Sequence, residues 1–291
     1  MIVHDSNVLK FNGFWLGFGS SPTPPSPDPY NPLNLPPFTI RVKYKAGVTP
    51  TLNASNATKV QVSSEPNIWD ITYQSSIWTG LFRLAHLDEP AYDDMLEVLG
   101  ANTEGVTGLS HLFWKCTSLT KVALFDTRAT TSIQSMFRDC SALVDVPEFH
   151  FDNVTNAYHT FMNCSSLVSV PKFTFGSVKY LEEFFAGCAS LISMPIFDDI
   201  STVTSIERIC ADCSSLTSIP LLNVPNVTRS LGAFKNCVNV ANGSLAMYNY
   251  LANKDVQVTY HAQTFMNCGT NTTTGAAELR QIPLDWKQST Y

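Results

Sequence analysis

Phe113-Trp114-Lys115-Cys116 is followed 24 residues later by Phe137-Arg138-Asp139-Cys140, and at two further steps of 24 by Phe161-Met162-Asn163-Cys164 and Phe185-Ala186-Gly187-Cys188. The next copy, Cys210-Ala211-Asp212-Cys213, comes after 25 residues, and Phe234-Lys235-Asn236-Cys237 after another 24. A fixed period between about 20 and 50 residues marks stacked supersecondary units, not a closed globule. Each unit then touches mainly its neighbours, so the period predicts one elongated body. Stacks of this kind serve mostly as binding surfaces or spacers, so the expectation moves away from an enzyme.

Apolar columns extend from each cysteine. Three residues on stand Leu119, Leu143, Leu167, Leu191 and Leu216, and six on stand Val122, Val146, Val170, Met194 and Ile219. Nine on come Phe125, Phe149, Phe173 and Phe197, with Leu222 in the last copy. Pro147, Pro171, Pro195 and Pro220 fill the position after the Val column. Proline cannot donate to a sheet ladder, so Leu-x-x-Val-Pro reads as a short strand stopped by its proline. In the second half of a unit, such as Val154 to Phe161, apolar positions fall three and four apart, which is helix periodicity. Each unit is therefore expected to hold one short parallel strand and one short helical turn. The predicted fold is an α/β solenoid with a short-strand parallel sheet, short helical turns and irregular caps at both ends.

The flanks divide the chain further. Residues 1–19 read as a β-hairpin, because Asn12-Gly13 between apolar runs is a strong hairpin signal. Its aromatics Phe11, Phe14, Trp15 and Phe18 are candidate anchor residues. Two readings stay open: the hairpin folds back on its own domain, or it pairs with another chain. Residues 20–37 carry eight prolines and read as an extended, polyproline-like linker, with a ligand for an aromatic groove as the alternative. Residues 38–97 read as an N-terminal cap that opens on the alternating strand Phe38–Tyr44, and residues 98–240 as the repeat array. Residues 241–291, where the period breaks and Phe265-Met266-Asn267-Cys268 echoes it once, read as the C-terminal cap.

The motif Phe-x-x-Cys-x-Ser-Leu-x-x-Val-Pro-x-Phe-Asp, with Thr131-Ser132-Ile133-Gln134-Ser135-Met136-Phe137 leading into it, resembles the BspA-type leucine-rich repeat. The resemblance covers roughly residues 98–240, and the flanks resemble those of such proteins in gut Bacteroidales and their phages. It implies a non-catalytic repeat protein of a cell or particle surface, involved in attachment. The family defines no catalytic residues, so none is carried over. Cys210 in place of the repeat's Phe, and Leu222-Asn223 in place of Phe-Asp, depart from the pattern.

Composition narrows the chemistry. A net charge of -6 with scattered Lys and Arg argues against binding a phosphate backbone. No stretch approaches the roughly 18 apolar residues that suggest a membrane span. Met1 to Lys10 lacks the basic and apolar regions of a signal peptide, so ordinary secretion is not expected. Six of the eight cysteines, Cys116, Cys140, Cys164, Cys188, Cys213 and Cys237, occupy one column and read as a structural core column of small buried hydrophobes. Bridges between adjacent units are the alternative that spacing alone leaves open. Cys210-Ala211-Asp212-Cys213 lacks the second ligand pair that a structural zinc needs. The six histidines show no ligand spacing, and no catalytic or phosphate-binding motif appears. No cofactor and no metal are expected.

Two surfaces are candidates for binding. The exposed strand face should carry Lys121, Asp145, Ser169, Ser193 and Ser218, and a C-terminal tip should carry Tyr248, Tyr250 and Tyr260. The expected function is a non-catalytic bacteriophage surface protein of the virion, mounted by its N-terminus on other virion proteins and offering its repeats to a host surface protein or glycan. A homo-oligomer suits that arrangement, while nucleic acid and membrane insertion are not expected. The alternatives are a BspA-type bacterial cell-surface adhesin and an intracellular protein-binding repeat protein.

Overall fold

The computed structural model describes residues 8–11, 14–17, 29–30, 33, 38–50, 57–73 and 94–289. Strands β1 (Val8–Phe11) and β2 (Phe14–Gly17) pair antiparallel, with Phe11 opposite Phe14. The Asn12-Gly13 turn, Phe18 and most of the proline-rich stretch lie outside the described residues.

Strands β3 (Thr39–Tyr44), β4 (Ala57–Gln61), β5 (Ile68–Tyr73), β6 (Met95–Asn102) and β7 (Lys121–Val122) form one mixed sheet in the order β4-β5-β3-β6-β7. Alternation decides its faces. Ile40, Val42 and Tyr44 of β3 point into the core, while Arg41 and Lys43 point out. The outward pair is matched across the sheet: Arg41 holds Asp70 through bonds of 2.6 and 2.7 Å, and Lys43 reaches Glu97 at 2.7 Å. All pairings in this sheet are antiparallel except β6 with β7. That one parallel step joins the sheet to the first repeat.

Within the repeats the expected architecture fails. The chain is not an α/β leucine-rich-repeat solenoid. Regular strand shrinks to β7, β8 (His150–Phe151) and β9 (Thr174–Phe175), the last two paired parallel with each other. The only α-helices among the described residues, α1 (Ser244–Asn253) and α2 (Thr273–Gln281), lie beyond the repeats.

Two local causes explain the difference. First, the segment read as a helical turn contains left-handed residues four apart. His111 and Lys115 have φ of 64° and 62°, and the pattern recurs at Ser135 and Asp139, His159 and Asn163, Glu183 and Gly187, and Arg208 and Asp212. A right-handed helix cannot pass through such residues. Second, the prolines remove the donor that would extend the strand. The first repeat has Ala123 at that position, and its N–H donates to Val98 O at 2.8 Å beside β7. Pro147, Pro171, Pro195 and Pro220 have no such N–H, and no strand is found at Leu-x-x-Val-Pro in those repeats.

What holds one repeat on the next is a ladder built on turns. The N–H groups of Leu109, His111, Phe113 and Lys115 donate to the carbonyls of Ser132, Gln134, Met136 and Arg138 at 2.8–2.9 Å. The same alternate donors recur in later repeats, and Phe265 N–H closes the series on Trp286 O at 3.0 Å. The intervening N–H groups turn back on their own repeat, as Cys116 does to Phe113 O at 3.1 Å. Left-handed residues let the chain aim alternate donors at the next repeat, so the ladder bonds offset a strain of about 1–2 kcal/mol per non-glycine residue.

Beneath this ladder runs a column of rings. Phe113, Phe137, Phe161 and Phe185 stack with centroids 5.3, 5.3 and 5.6 Å apart and planes within 16°. Phe125, Phe149 and Phe173 are fully buried alongside, while Phe197 is half-buried. Cys210 interrupts the first column, and Phe234 with Phe265 resumes it at 5.7 Å.

The C-terminal helices close the stack. Helix α1 starts on left-handed Gly243 without a side-chain cap of its own. Glu278 of α2 supplies one from outside: Ser244 Oγ donates to its carboxylate at 2.7 Å and Leu245 N–H at 3.0 Å. Burial works to raise the Glu278 pKa, but the bonds from Leu245, Ser244 and Gly243 outweigh it and hold the carboxyl below its usual value. A group depressed in this way stabilises the fold above its unfolded pKa and loses that contribution as pH falls through the folded one. Glu278→Gln is therefore expected to cost about 1 kcal/mol at pH 7. In urea titrations the gap between variant and parent should narrow towards pH 3, and a gap independent of pH would contradict this role.

Candidate interaction surface

The column expected at the binding face is solvent-facing. Lys121, Asp145, Ser169 and Ser193 are exposed and Ser218 is half-buried. They do not share a continuous strand; one residue before each, a single N–H links neighbouring repeats. Val168 N–H donates to Val144 O and Ile192 N–H to Val168 O, both at 3.1 Å. The side chains of this linking row, Val144, Val168 and Ile192, are exposed. The face is thus more apolar than its Lys, Asp and Ser column suggests.

Further along the same repeats the surface becomes concave. A groove of about 260 Å³ lies among Met194, Pro195, Ile196, Phe197, Leu221 and Leu222, with Asp198 and Asn223 in its lining. Ile196 is 72% exposed and Leu221 63%, high for side chains of that size. The sequence carries a sign of this place. Leu222 stands where earlier repeats have phenylalanine, and Ile196 and Leu221 stand where they have Leu124, Glu148 and Lys172. Column reasoning treated Leu222 as a departure from the motif and missed the groove beside it.

The three tyrosines of the expected tip have separate partners. Tyr248 packs edge-on against Trp286 at 5.3 Å, and the Tyr250 hydroxyl accepts the Val224 N–H at 2.9 Å. Tyr260 is exposed, with the Arg229 guanidinium 4.5 Å above its ring. Tyr250 therefore ties α1 to the last repeat, and Tyr248 ties it to the closing segment at Trp286. A second groove does open in the C-terminal region, lined by other residues and taken up below. Of the anchor candidates, Phe11, Phe14 and Trp15 lie in the β1–β2 pair, and Phe18 lies outside the described residues.

Tyr30, from the proline-rich stretch, rests on the repeats. The Arg128 guanidinium lies 4.5 Å from its ring, and the His150 ring 6.1 Å away on edge. Arg128 is held in turn by Asp126, through bonds of 2.9 and 3.0 Å. Burial disfavours the Asp126 carboxylate, but the Arg128 bonds prevail and lower its pKa.

The turn side of the repeats carries paired charge. His159 meets Glu183 at 3.5 Å, Arg208 meets Glu183 at 3.7 Å, and Arg229 meets Glu207 at 2.7 Å. Burial pushes the Glu182 carboxyl up and the His159 imidazole down. Among the described residues no group of three or more His, Cys, Asp or Glu is placed to hold a metal ion.

The cysteine column has a role beyond size. Cys140, Cys164, Cys188, Cys213 and Cys237 each point the thiol at a carbonyl one repeat back, at 3.0–3.1 Å. The acceptors are Phe113, Phe137, Phe161, Phe185 and Cys210. An S–H donor small enough for the site links adjacent repeats where alanine or valine could not. All eight cysteines are buried and unbridged. Burial drives the pKa up at Cys140, Cys164, Cys188, Cys210, Cys237 and Cys268, to about 12 at Cys268 and further at Cys140 and Cys188. Thiolate is the reactive form. Hence the native chain should leave Ellman's reagent unreacted over hours at pH 8, while the urea-unfolded chain reacts at all eight positions. A thiol that reacts rapidly in the native state would contradict this packing.

A family model described as "Mycoplasma protein of unknown function, DUF285" matches residues 91–196 and, in a second overlapping copy, residues 145–248. Together the matches span more than half of the chain, and both grooved repeats fall inside them. Comparison with curated proteins and with solved structures gave no match.

Proposed function

The chain belongs to the DUF285 family, and from that premise we propose that it is a non-catalytic surface protein whose repeats engage another protein. One observation carries the reading: the exposed Ile196 and Leu221 beside the groove, continued by the exposed row Val144, Val168 and Ile192. Apolar side chains rimmed by polar ones fit a protein partner. They fit a glycan less well, since the exposed row offers neither aromatic platforms nor clustered donors.

The particle on which it works is a bacteriophage virion in this reading. The N-terminal strand pair with its aromatics mounts the chain on other virion proteins, and the repeats face the host. Support comes from the resemblance of repeats and flanks to BspA-type proteins of Bacteroidales and their phages, and from the order of aromatic segment, proline-rich stretch and repeats. Residence on a bacterial cell surface as an adhesin is the alternative placement, with the same repeats used for binding.

Fractionation of the producing culture tests this. The chain should co-sediment with purified particles and leave them when residues 1–37 are deleted. Ile196→Asp with Leu221→Asp should leave particle association intact and reduce particle attachment to host cells. Recovery in the cell envelope or cytosol, with none on particles, would end the virion reading. Undiminished attachment by the double variant would end the proposed role of the groove.

A further inference from the structure

We infer that the C-terminal end of the molecule carries a second docking groove, separate from the repeat face, built for an acidic amphipathic peptide segment of a partner protein. The groove has a volume of about 510 Å³, with Met266, Ala276 and Leu279 lining it beside Leu284. Leu284 is 63% exposed. The volume lies within the ordinary range of ligand sites, roughly 300–1,000 Å³.

Its charge names the occupant. Two cations, Arg280 and Lys287, belong to the lining, joined by the neutral Asn267 and Gln288, and no carboxylate does. In a chain of net charge -6 this local excess is not what composition would place there. Of the carboxylates closest in sequence, Glu278 caps α1, and neither it nor the exposed Asp285 belongs to the lining. Arg280 has no ion-pair partner among the described residues. Lys287 donates to Leu279 O at 2.9 Å, which fixes its ammonium at the C-terminal end of α2. An ammonium has three donors, so two remain for an incoming anion.

Helix electrostatics account for part of this, because cations suit the C-terminal end of a helix. They do not account for an exposed leucine over an apolar hollow beside those cations. A free anion would satisfy the charges and leave Leu284 and Leu279 uncovered. An amphipathic segment covers both, with apolar side chains in the hollow and carboxylates towards Arg280 and Lys287, the usual manner in which a helix lies in a groove. The residues differ from those of the repeat groove, so each site can be disabled without the other.

The test uses the full chain and two short fluorescein-labelled peptides. One has leucines three and four apart with glutamates between them; the other has lysine for every glutamate. Fluorescence anisotropy should show saturable binding of the acidic peptide, at least about tenfold tighter than the lysine peptide and weaker in high salt. Arg280→Glu with Leu284→Ser should weaken it by about tenfold or more. Arg280→Gln alone, which leaves the Lys287 bond in place, should give a smaller loss. Ile196→Asp with Leu221→Asp should leave it unchanged, which separates this site from the repeat face. Equal binding of the two peptides, absence of saturable binding, or indifference to the Arg280 and Leu284 changes would overturn the inference.

Discussion

Phe161→Ala is expected to cost about 3–5 kcal/mol of folding stability. Phe161 is fully buried between Phe137, at 5.3 Å and 7° from parallel, and Phe185, at 5.6 Å and 14°. It also meets Phe184 edge-on at 5.4 Å and Phe173 at 5.9 Å. Truncation opens a void in the middle of the ring column, and the ladder on either side prevents the repeats from collapsing into it. Whole domains are stable by only about 5–15 kcal/mol, so the loss removes a large share. Urea unfolding should show a lower midpoint or a transition that splits in two at the weakened repeat. Val168→Ala, on the exposed row of the same repeat, is the control and should change stability by under about 0.5 kcal/mol. Equal effects from the two would mean that the ring column does not hold the stack.

Gly243→Ala should be comparably damaging for a different reason. Gly243 adopts φ 94°, and a methyl group there would sit 2.0 Å from Ile219 O, with the Ile219 backbone carbon and nitrogen at 3.0 and 3.1 Å. The clash is with backbone, so no side chain can swing aside. Left-handed geometry costs an L-residue about 1–2 kcal/mol, and overpacking adds about 1–3 kcal/mol. The strain falls where α1 meets the last repeats and where Glu278 reaches across to cap it. Thermal melts should drop by many degrees. Gly105→Ala, at φ 72° with open space around its Cβ, should lose only the conformational part. A Gly243→Ala chain as stable as the Gly105→Ala chain would show that α1 does not pack on Ile219 as described.

The contrast between sequence and structure turns on a few residues. The 24-residue period, the buried Phe, Leu and Cys columns and the exposed Lys121 to Ser193 column could be read directly, because burial in a stack follows period alone. The conformation inside one period could not. Spacings of three and four suggest helix, yet tight turns that bond back three residues give the same spacing. Asp139, Asn163, Gly187, Asp212, Asn236 and Asn267 before the cysteines were the available clue. Asp, Asn and Gly tolerate the left-handed region, and every one of these has positive φ. Ser135 and Glu183, four residues before Asp139 and Gly187, give no such sign, because their geometry is imposed by the ladder. The proline column was read as the end of a strand, whereas its missing N–H prevents the strand from forming. The two grooves escaped because each depends on departures from the repeat, Leu222 in one case and the closing segment around Leu284 in the other. Glu278, which caps a helix some thirty residues away in sequence, had no local signature.

Residue-resolved amide hydrogen exchange, measured by NMR together with the three-bond HN–Hα couplings, tests the turn ladder most directly. Couplings and shifts should place Lys115, Asp139 and Asn163 in the left-handed region. The amides of Ser135, Phe137 and Asp139, which donate to Tyr158, Thr160 and Met162, should be protected only while the following repeat is intact, and lose protection together in Phe161→Ala. Uniform helical shifts and unbroken protection through residues 108–116 and 132–140 would contradict the ladder and restore helical turns to the repeats.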